Sequence, residues 1–586
     1  MNAGYENGKI VVKGRAFEEV PFDMGSEKCS VVADGKGGLC AYRVNNRAEN
    51  FVDPFLSLTL FEGGKPIPVL SPKTVTMIGR KQEIEFEIGE KRIIVTVFLG
   101  KGVNGAFFSL RSSADVSFVL DLRAAKEIPS ARASFFKGKE CLLSSNAPVE
   151  RVEEDECFYG EVRGETRLLL TFGGEEKAHR EAFAAFDEAL SETEREIASV
   201  LPPASAESEE EKAFYRLSAF AALENYKRSG DFAAFAAGSN YVYPLRTYFR
   251  DSYFTVLSVY ERAPALIRRE ILTLANGVAE DGTCPSAVKS DGSAFWGGHF
   301  DSPSLFVLQV FDYVSRAKDE SVLFEKTEGG NVLSEVDRVL KKLSESADET
   351  GLLYKEGRDR RDWADEVNRG GYVTYVEALY ARALQAASEL FKGRDDALSA
   401  FYERKYRIVK KAINDLLYDE EAGYFVNFKT RDFTERNLSI DTVFTVLFGI
   451  ADEARSRSVL EKMERLLETE NNRVSDEPFG AMCVYPPYEK AGEGVHKSAR
   501  PFDYHNGANW PFLTALYAYA KHLFGMEFKD VLLSPLRFNV SRGRYTAIEY
   551  FSPYCKAGSG LQAWSSAAAF VYDNIGKENF FKIKGE

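Results

Sequence analysis

Two hydrophobic periods divide the chain. From Lys9 to about residue 174, apolar positions alternate with polar ones or run in short blocks, as in 9–13 (KIVVK), 55–61 (FLSLTLF), 83–99 (EIEFEIGEKRIIVTVFL) and 105–110. Turn pairs such as Asp34-Gly35, Gly37-Gly38 and Gly63-Gly64 separate these blocks. Short strands punctuated by glycine-rich turns predict an antiparallel β-sandwich. The spacing then changes to three and four. Segments 175–200 and 207–227 carry Ala, Leu, Phe and Glu at helical intervals, with Pro202-Pro203 between them. We therefore expect a multidomain chain: a sandwich over 1–174, a helical linker over 175–205 and an all-α domain over 206–586.

Beyond the linker the pattern predicts helices at 207–227, 251–262, 264–279, 302–317, 331–346, 372–392, 395–417, 438–450, 453–468, 507–524 and 560–573. They come mostly in pairs, joined by loops rich in Gly, Asp and aromatic residues. Paired helices in this number suggest an (α/α)6 toroid of helical hairpins, its inner ring surrounding a pocket. No sequence period marks a solenoid.

Charge and composition narrow the partners. Eighty-nine acidic residues against seventy-five Lys and Arg leave a formal charge of -14 over 586 residues, and no basic block appears. That balance excludes nucleic acid, whose phosphates demand a basic patch. No apolar run approaches the ~20 residues of a membrane span, and no signal sequence is visible at 1–10, so a cytoplasmic protein is expected. Seven cysteines stand singly at 29, 40, 141, 157, 284, 483 and 555, which suggests neither a disulfide framework nor a zinc site. The five histidines at 179, 299, 496, 505 and 522 show no metal spacing, and no cofactor motif is present. The oligomeric state is open.

The aromatic residues carry the chemical signal. All four Trp fall in the helical half, each beside polar residues that helix packing does not require: Phe295-Trp296-Gly297-Gly298-His299, Asp362-Trp363-Ala364-Asp365, Asn506-Gly507-Ala508-Asn509-Trp510 and Gln562-Ala563-Trp564. Indole faces take the C–H side of a pyranose while amides and carboxylates take its hydroxyls, so the clusters suggest a sugar site. The plainer reading, large aromatics filling a helical core, suits any one Trp better than all four together. Arg250-Asp251, after Tyr248, suits the gripping of adjacent hydroxyls, although a surface ion pair would look the same. Hydrolysis of a glycoside needs two carboxyls, one protonated and one ionised. Asp365, two residues after Trp363, and Glu549, in the aromatic stretch Ala547-Ile548-Glu549-Tyr550-Phe551, are the candidates by context. His505 reads as a hydroxyl ligand or as a satisfied structural histidine.

Taken in order, these segments resemble the glycogen-debranching, amylo-α-1,6-glucosidase type of glycoside hydrolase. More broadly they resemble six-hairpin barrel enzymes such as glucoamylases and mannosylglycerate hydrolases. Arg246 to Ser252 is similar to the family's Gly-Arg-Asp-Thr segment, which implies that Arg250 and Asp251 hold the terminal sugar. Trp363-Ala364-Asp365 resembles Trp-Met-Asp, whose Asp is the general acid. Tyr504-His505-Asn506-Gly507-Ala508-Asn509-Trp510-Pro511 is similar to the His-Asn/Gln-Gly-x-x-Trp-Pro segment. Glu549 with Gln562-Ala563-Trp564-Ser565-Ser566 resembles the ending whose Glu is the catalytic base. The match spans roughly 240–573. The family's Gly-Lys-Pro-Val-Glu is replaced by Gly370-Gly371-Tyr372-Val373-Thr374, which weighs against polymeric glycogen as substrate.

The expected function is an exo-acting, inverting glycosidase that releases a sugar, α-linked glucose by resemblance, from a short oligosaccharide or glycoside. Asp365 would be the acid and Glu549 the base, with carboxyls about 6.5–9.5 Å apart. Tyr248, Arg250, Asp251, Trp296, Trp363, His505, Asn506, Trp510, Gln562 and Trp564 would bind substrate. The rivals are a disaccharide phosphorylase on the same plan, against which Glu549 argues, and a non-catalytic carbohydrate-binding protein.

Overall fold

A computed structural model describes residues 2–13, 20–47, 51–67, 72–122, 132–138, 140–152, 157–488, 500–554 and 557–583. His496 and Cys555 lie outside the described residues. From Asn2 to Phe172 the chain forms sixteen described strands in one antiparallel, hydrogen-bonded sheet, not two separately paired sheets. Strands distant in sequence pair: Lys9–Lys13 with Thr74–Ile78, and Phe51–Glu62 with Val116–Leu122. Phe22 and Val31 from one end of the pairing path share a single apolar core with Ile10 and Val12 from the other, so the path closes over itself. Alternating burial, as in Lys81–Ile88, follows from the pleat.

Helices Glu176–Ala184 and Phe186–Ser199 follow the last strand. His179 seats the first on the sheet, its ring nitrogens bonded to Thr171 (2.8 Å) and Ser144 (2.9 Å). Burial pushes its pKa down to about 4, so it stays neutral. Phe186 seats the second, edge-on to Phe98 and Phe107.

The remainder is predominantly helical. A capping box opens Glu209–Leu223: Ser208 accepts from the Glu211 N–H (3.1 Å) and the Glu211 carboxylate accepts from the Ser208 N–H (2.8 Å). Burial alternates along the chain. Phe249–Val256, Ser302–Ala317, Thr374–Phe391 and Pro511–Leu523 are buried almost all round. Pro264–Asn276, Val332–Ser344, Asp396–Leu416 and Glu453–Leu467 bury one face each. The enclosed helices also touch in succession: Phe249–Val256 meets Ser302–Ala317, which meets Thr374–Phe391, which meets Phe444–Leu447.

Two expected helices need correction, and one helix is additional. The helix expected over 438–450 is a 3-10 turn, Ile440–Val443, and the short helix Phe444–Leu447. The last helix begins as the 3-10 turn Trp564–Ser566 before Ala567–Asn574. Lys529–Ser541, not expected, is helical despite Pro535 in its interior.

Buried polar contacts join sheet and helices. Lys227 Nζ donates to the carbonyls of Ser26 (2.7 Å), Cys29 (3.2 Å) and Glu224 (2.9 Å) and to the Ser30 hydroxyl (3.1 Å). At the exposed rim, Asn46 of the sheet side donates its N–H to the Val242 carbonyl (2.8 Å) and accepts from the Leu245 N–H (2.9 Å). No helix among the described residues is long and apolar enough to cross a membrane.

Candidate active site

The strand Arg246–Tyr248 runs directly into Phe249–Val256, which places Arg250 and Asp251 in a helix's first turn, each 6% exposed. Such charges stay buried only with partners. Arg250 Nη1 donates to Asp301 Oδ2 (3.0 Å), which also accepts from the Tyr375 hydroxyl (3.3 Å). Burial alone would lower the Arg250 pKa, but Asp301, Asp251 and Asp365 raise it. Gln562 Nε2 donates to Asp251 Oδ1 (3.4 Å). Burial pushes the Asp251 carboxyl up to about 7, with Arg250 opposing and Glu549 and Asp365 adding to the rise.

Asp365 stands on a loop held by buried ion pairs. Asp362 takes Arg369 Nη2 (2.6 Å), Lys355 Nζ (3.3 Å) and the Ala364 N–H (3.0 Å). Arg369 Nη1 (2.6 Å) and Trp363 Nε1 (2.5 Å) both donate to Asp441 Oδ2. So fixed, the loop presents Asp365 with 28% of its side chain accessible, its Oδ1 3.6 Å from His505 Nδ1. Burial raises the Asp365 carboxyl to about 7; Arg250 opposes this and Glu366 and Glu549 reinforce it.

Glu549 has different surroundings. Its N–H donates to the Ser559 carbonyl (3.0 Å) and the Gln562 N–H to the Ala547 carbonyl (3.0 Å), a fold-back that brings Gln562 into the same site. The carboxylate accepts from the Ser559 N–H (3.1 Å) and the Tyr241 hydroxyl (3.2 Å). Burial raises its pKa, and these two donors pull it back. Gly558 lies so close that a Cβ there would come within 2.4 Å of Glu549 Oε2. Reciprocal backbone bonds between Asn509 and Phe551 (3.0 and 3.1 Å) tie this segment to the His505 motif.

His505 Nδ1 accepts the Glu366 N–H (3.3 Å), which assigns its proton to Nε2. Burial, with Arg250 and Arg369, holds its pKa well below 6.5, so the ring is neutral. It stacks on Trp510 at 4.5 Å and 12°, and Trp363 stands edge-on to both. Trp564 stacks on Phe512 (4.3 Å). These three Trp are buried and form a wall; Trp510 Nε1 donates to the Tyr504 carbonyl (3.3 Å). Asn506 braces the backbone of Tyr488, accepting its N–H (2.7 Å) and donating to its carbonyl (3.3 Å). Trp296 stands apart, 58% exposed and 6.1 Å from the Tyr248 ring.

The site thus gathers Tyr248, Arg250, Asp251, Trp363, Asp365, His505, Trp510, Glu549, Gln562 and Trp564 from segments hundreds of residues apart. Arg250 Nε, His505 Nε2, Gln562 Oε1 and Trp564 Nε1 are buried and hydrogen-bond nothing among the described residues. Sequence reasoning missed Tyr241, which reaches Glu549, and Asp301, which holds Arg250. Tyr241 is one of 28 Tyr, and the Ser239-Asn240 before it reads as an ordinary turn. Asp301 follows His299-Phe300 at the end of the Trp296 cluster, a signal left unused.

A family model described as amylo-α-1,6-glucosidase matches residues 257–571, more than half of the chain; it includes Asp365 and Glu549 but begins after Asp251. No curated protein matches the chain by sequence. Among solved structures, a bacterial glucoamylase complexed with acarbose aligns with a TM-score of 0.64 at 13% identity, over 97% of this chain and 94% of that one. A rhamnosidase from Klebsiella oxytoca with rhamnose bound aligns at 0.48 and 15% identity, over 88% of this chain and 95% of that one. The chain belongs to the amylo-α-1,6-glucosidase family of glycosidases.

Proposed function

We propose that the protein is an exo-acting, inverting glycoside hydrolase. Asp365 protonates the glycosidic oxygen, and Glu549 takes a proton from the water that attacks the anomeric carbon on the opposite face. The observation that carries this is the unequal setting of two carboxyls in one site. Asp365 has no protein donor on its carboxylate among the described residues and a pKa near 7, so it keeps a proton to give. Glu549 accepts two hydrogen bonds that favour its ionised form. A carboxyl without donors facing one that accepts two hydrogen bonds assigns the acid and the base.

Arg250 Nε, His505 Nε2, Gln562 Oε1 and Trp564 Nε1 supply donors and an acceptor for sugar hydroxyls. Exo action is supported by the likeness of Arg250 and Asp251 to the family segment that holds a terminal sugar. The alternation of enclosed and one-faced helices supports the (α/α)6 toroid, with the division at 175–205 on the helices Glu176–Ala184 and Phe186–Ser199. The preference for a short, α-linked glucoside follows from the missing Gly-Lys-Pro-Val-Glu segment and from family membership.

The test is a panel of α- and β-linked disaccharides and aryl glycosides, assayed with and without phosphate. Hydrolysis without phosphate, lost in Asp365→Asn and Glu549→Gln, supports the reading. Turnover that requires phosphate, or binding with no turnover, would replace it with phosphorolysis or a binding role.

A further inference from the structure

The strand Arg246–Tyr248 carries a charge that the proposed reaction does not use. Arg246 is 9% exposed. Its guanidinium carbon lies 4.3 Å from the ring centre of Phe295 and 5.3 Å from those of Tyr241 and Tyr248. Nε donates to the Tyr248 hydroxyl (2.7 Å) and Nη1 to the Pro244 carbonyl (2.8 Å). Both acceptors are neutral, and no carboxylate pairs with Arg246 among the described residues. Its Nη2 bonds nothing there and is not sealed from solvent. A largely buried cation without a counter-charge is costly.

The sheet register adds a second cation. Arg246 lies opposite Lys289, Tyr248 opposite Ala287, and Ala287 opposite Phe295. Directly opposed and alternate residues share a face, so Arg246, Tyr248, Lys289 and Phe295 lie on one side. Like charges in opposed positions destabilise a ladder. Lys289 has no ion pair among the described residues; Asp291 feels its charge from the adjoining turn. Trp296, at a φ of 58°, leaves the strand geometry and extends the aromatic floor, 4.9 Å from Phe295 and 6.1 Å from Tyr248. The arrangement adjoins the catalytic carboxyls. Tyr241, under the Arg246 guanidinium, donates to Glu549, and Tyr248 feels Arg246 together with Asp251 and Arg250.

We infer that Arg246 and Lys289 form a subsite for a carboxylate or phosphate group beside the sugar pocket, with Trp296 as its apolar platform. The planar guanidinium suits a two-oxygen anion, and the lysine adds a point charge. The assignment rests on the reading of the neighbouring site as a glycoside site. The charge belongs either to a substituent of the substrate or to a free oxyanion.

Titration of the full chain, followed by tryptophan fluorescence, tests this with four probes: glucose, glucuronic acid, glucose 6-phosphate and inorganic phosphate. The acids should bind about tenfold more tightly than glucose. Arg246→Gln should remove that preference and Lys289→Gln weaken it several-fold, with glucose binding unchanged in Lys289→Gln, whose side chain hydrogen-bonds nothing among the described residues. Competition by inorganic phosphate alone assigns the site to a free oxyanion; preference only for the sugar-linked acids assigns it to the substrate. Equal binding of glucose and all three anions by wild type overturns the proposal, as does a preference that survives in both variants. Asp365→Asn should keep the preference while losing hydrolysis, so the subsite and the catalytic reading fail separately.

Discussion

A general acid must hold its proton at the pH where the neighbouring base has lost one. With Asp365 raised to about 7, and Glu549 raised by burial but drawn back by the Ser559 N–H and the Tyr241 hydroxyl, kcat/KM should be bell-shaped. Activity falls as pH rises through about 7, when Asp365 ionises, and falls again in acid, when Glu549 takes up a proton. Asp365→Asn should cost about 10²–10⁴-fold in kcat, and less for aryl glycosides whose leaving group needs no proton. Tyr241→Phe deletes a hydrogen bond that stabilises ionised Glu549. Its acid limb should therefore move to higher pH while the limb near 7 stays, measured as kcat/KM against pH. An unmoved acid limb would detach Tyr241 from the base.

Elements explain why these residues meet. The loop before Thr374–Phe391 is fixed by Asp362, Arg369, Lys355 and Asp441, all buried. Removing one partner strands the others, so Arg369→Ala should destabilise the protein by about 3–5 kcal/mol in denaturant unfolding and lower kcat with it. Native-like stability with full activity would show that the network does not position Asp365. Much of this level was legible: polar residues beside Trp marked the loops at 363, 505–510 and 562 because helix packing gives no reason for them. Within the motifs, sequence did not separate lining from support. Asn506 and Trp510 look like ligands in the chain, yet each has its polar atoms on the backbone. Lys529–Ser541 escaped notice because Pro535 removes an N–H and interrupts the helical pattern.

At the scale of the molecule, sheet and helices are joined by Lys227, whose ammonium serves three carbonyls and a hydroxyl without a carboxylate. Burial pushes its pKa down to about 8. Lys227→Met takes the ammonium donor from the buried Ser26 and Glu224 carbonyls and should cost about 3 kcal/mol or more of stability by denaturant unfolding. Strand blocks were readable from their alternation, but pairings such as Lys9–Lys13 with Thr74–Ile78 depend on distant contacts that no local pattern encodes. The site also weighs on stability. Asp251 and Asp365 titrate near 7 when folded and near 3.9 when unfolded, so the folded state binds more protons between about pH 4 and 7. Stability should fall as pH rises across that window, each unit of difference being worth about 1.4 kcal/mol. Relative to wild type, Asp365→Asn should gain stability at pH 8 compared with pH 5.

Two carboxyls acting on opposite faces of one anomeric carbon make a claim about stereochemistry, and proton NMR of the first-formed sugar tests it most directly. With an α-linked glucoside cleaved from the disaccharide and aryl glycoside panel, the account predicts the β-anomer before mutarotation, formed without phosphate and absent in Asp365→Asn and Glu549→Gln. Release of the α-anomer, or release that survives both substitutions, would contradict it.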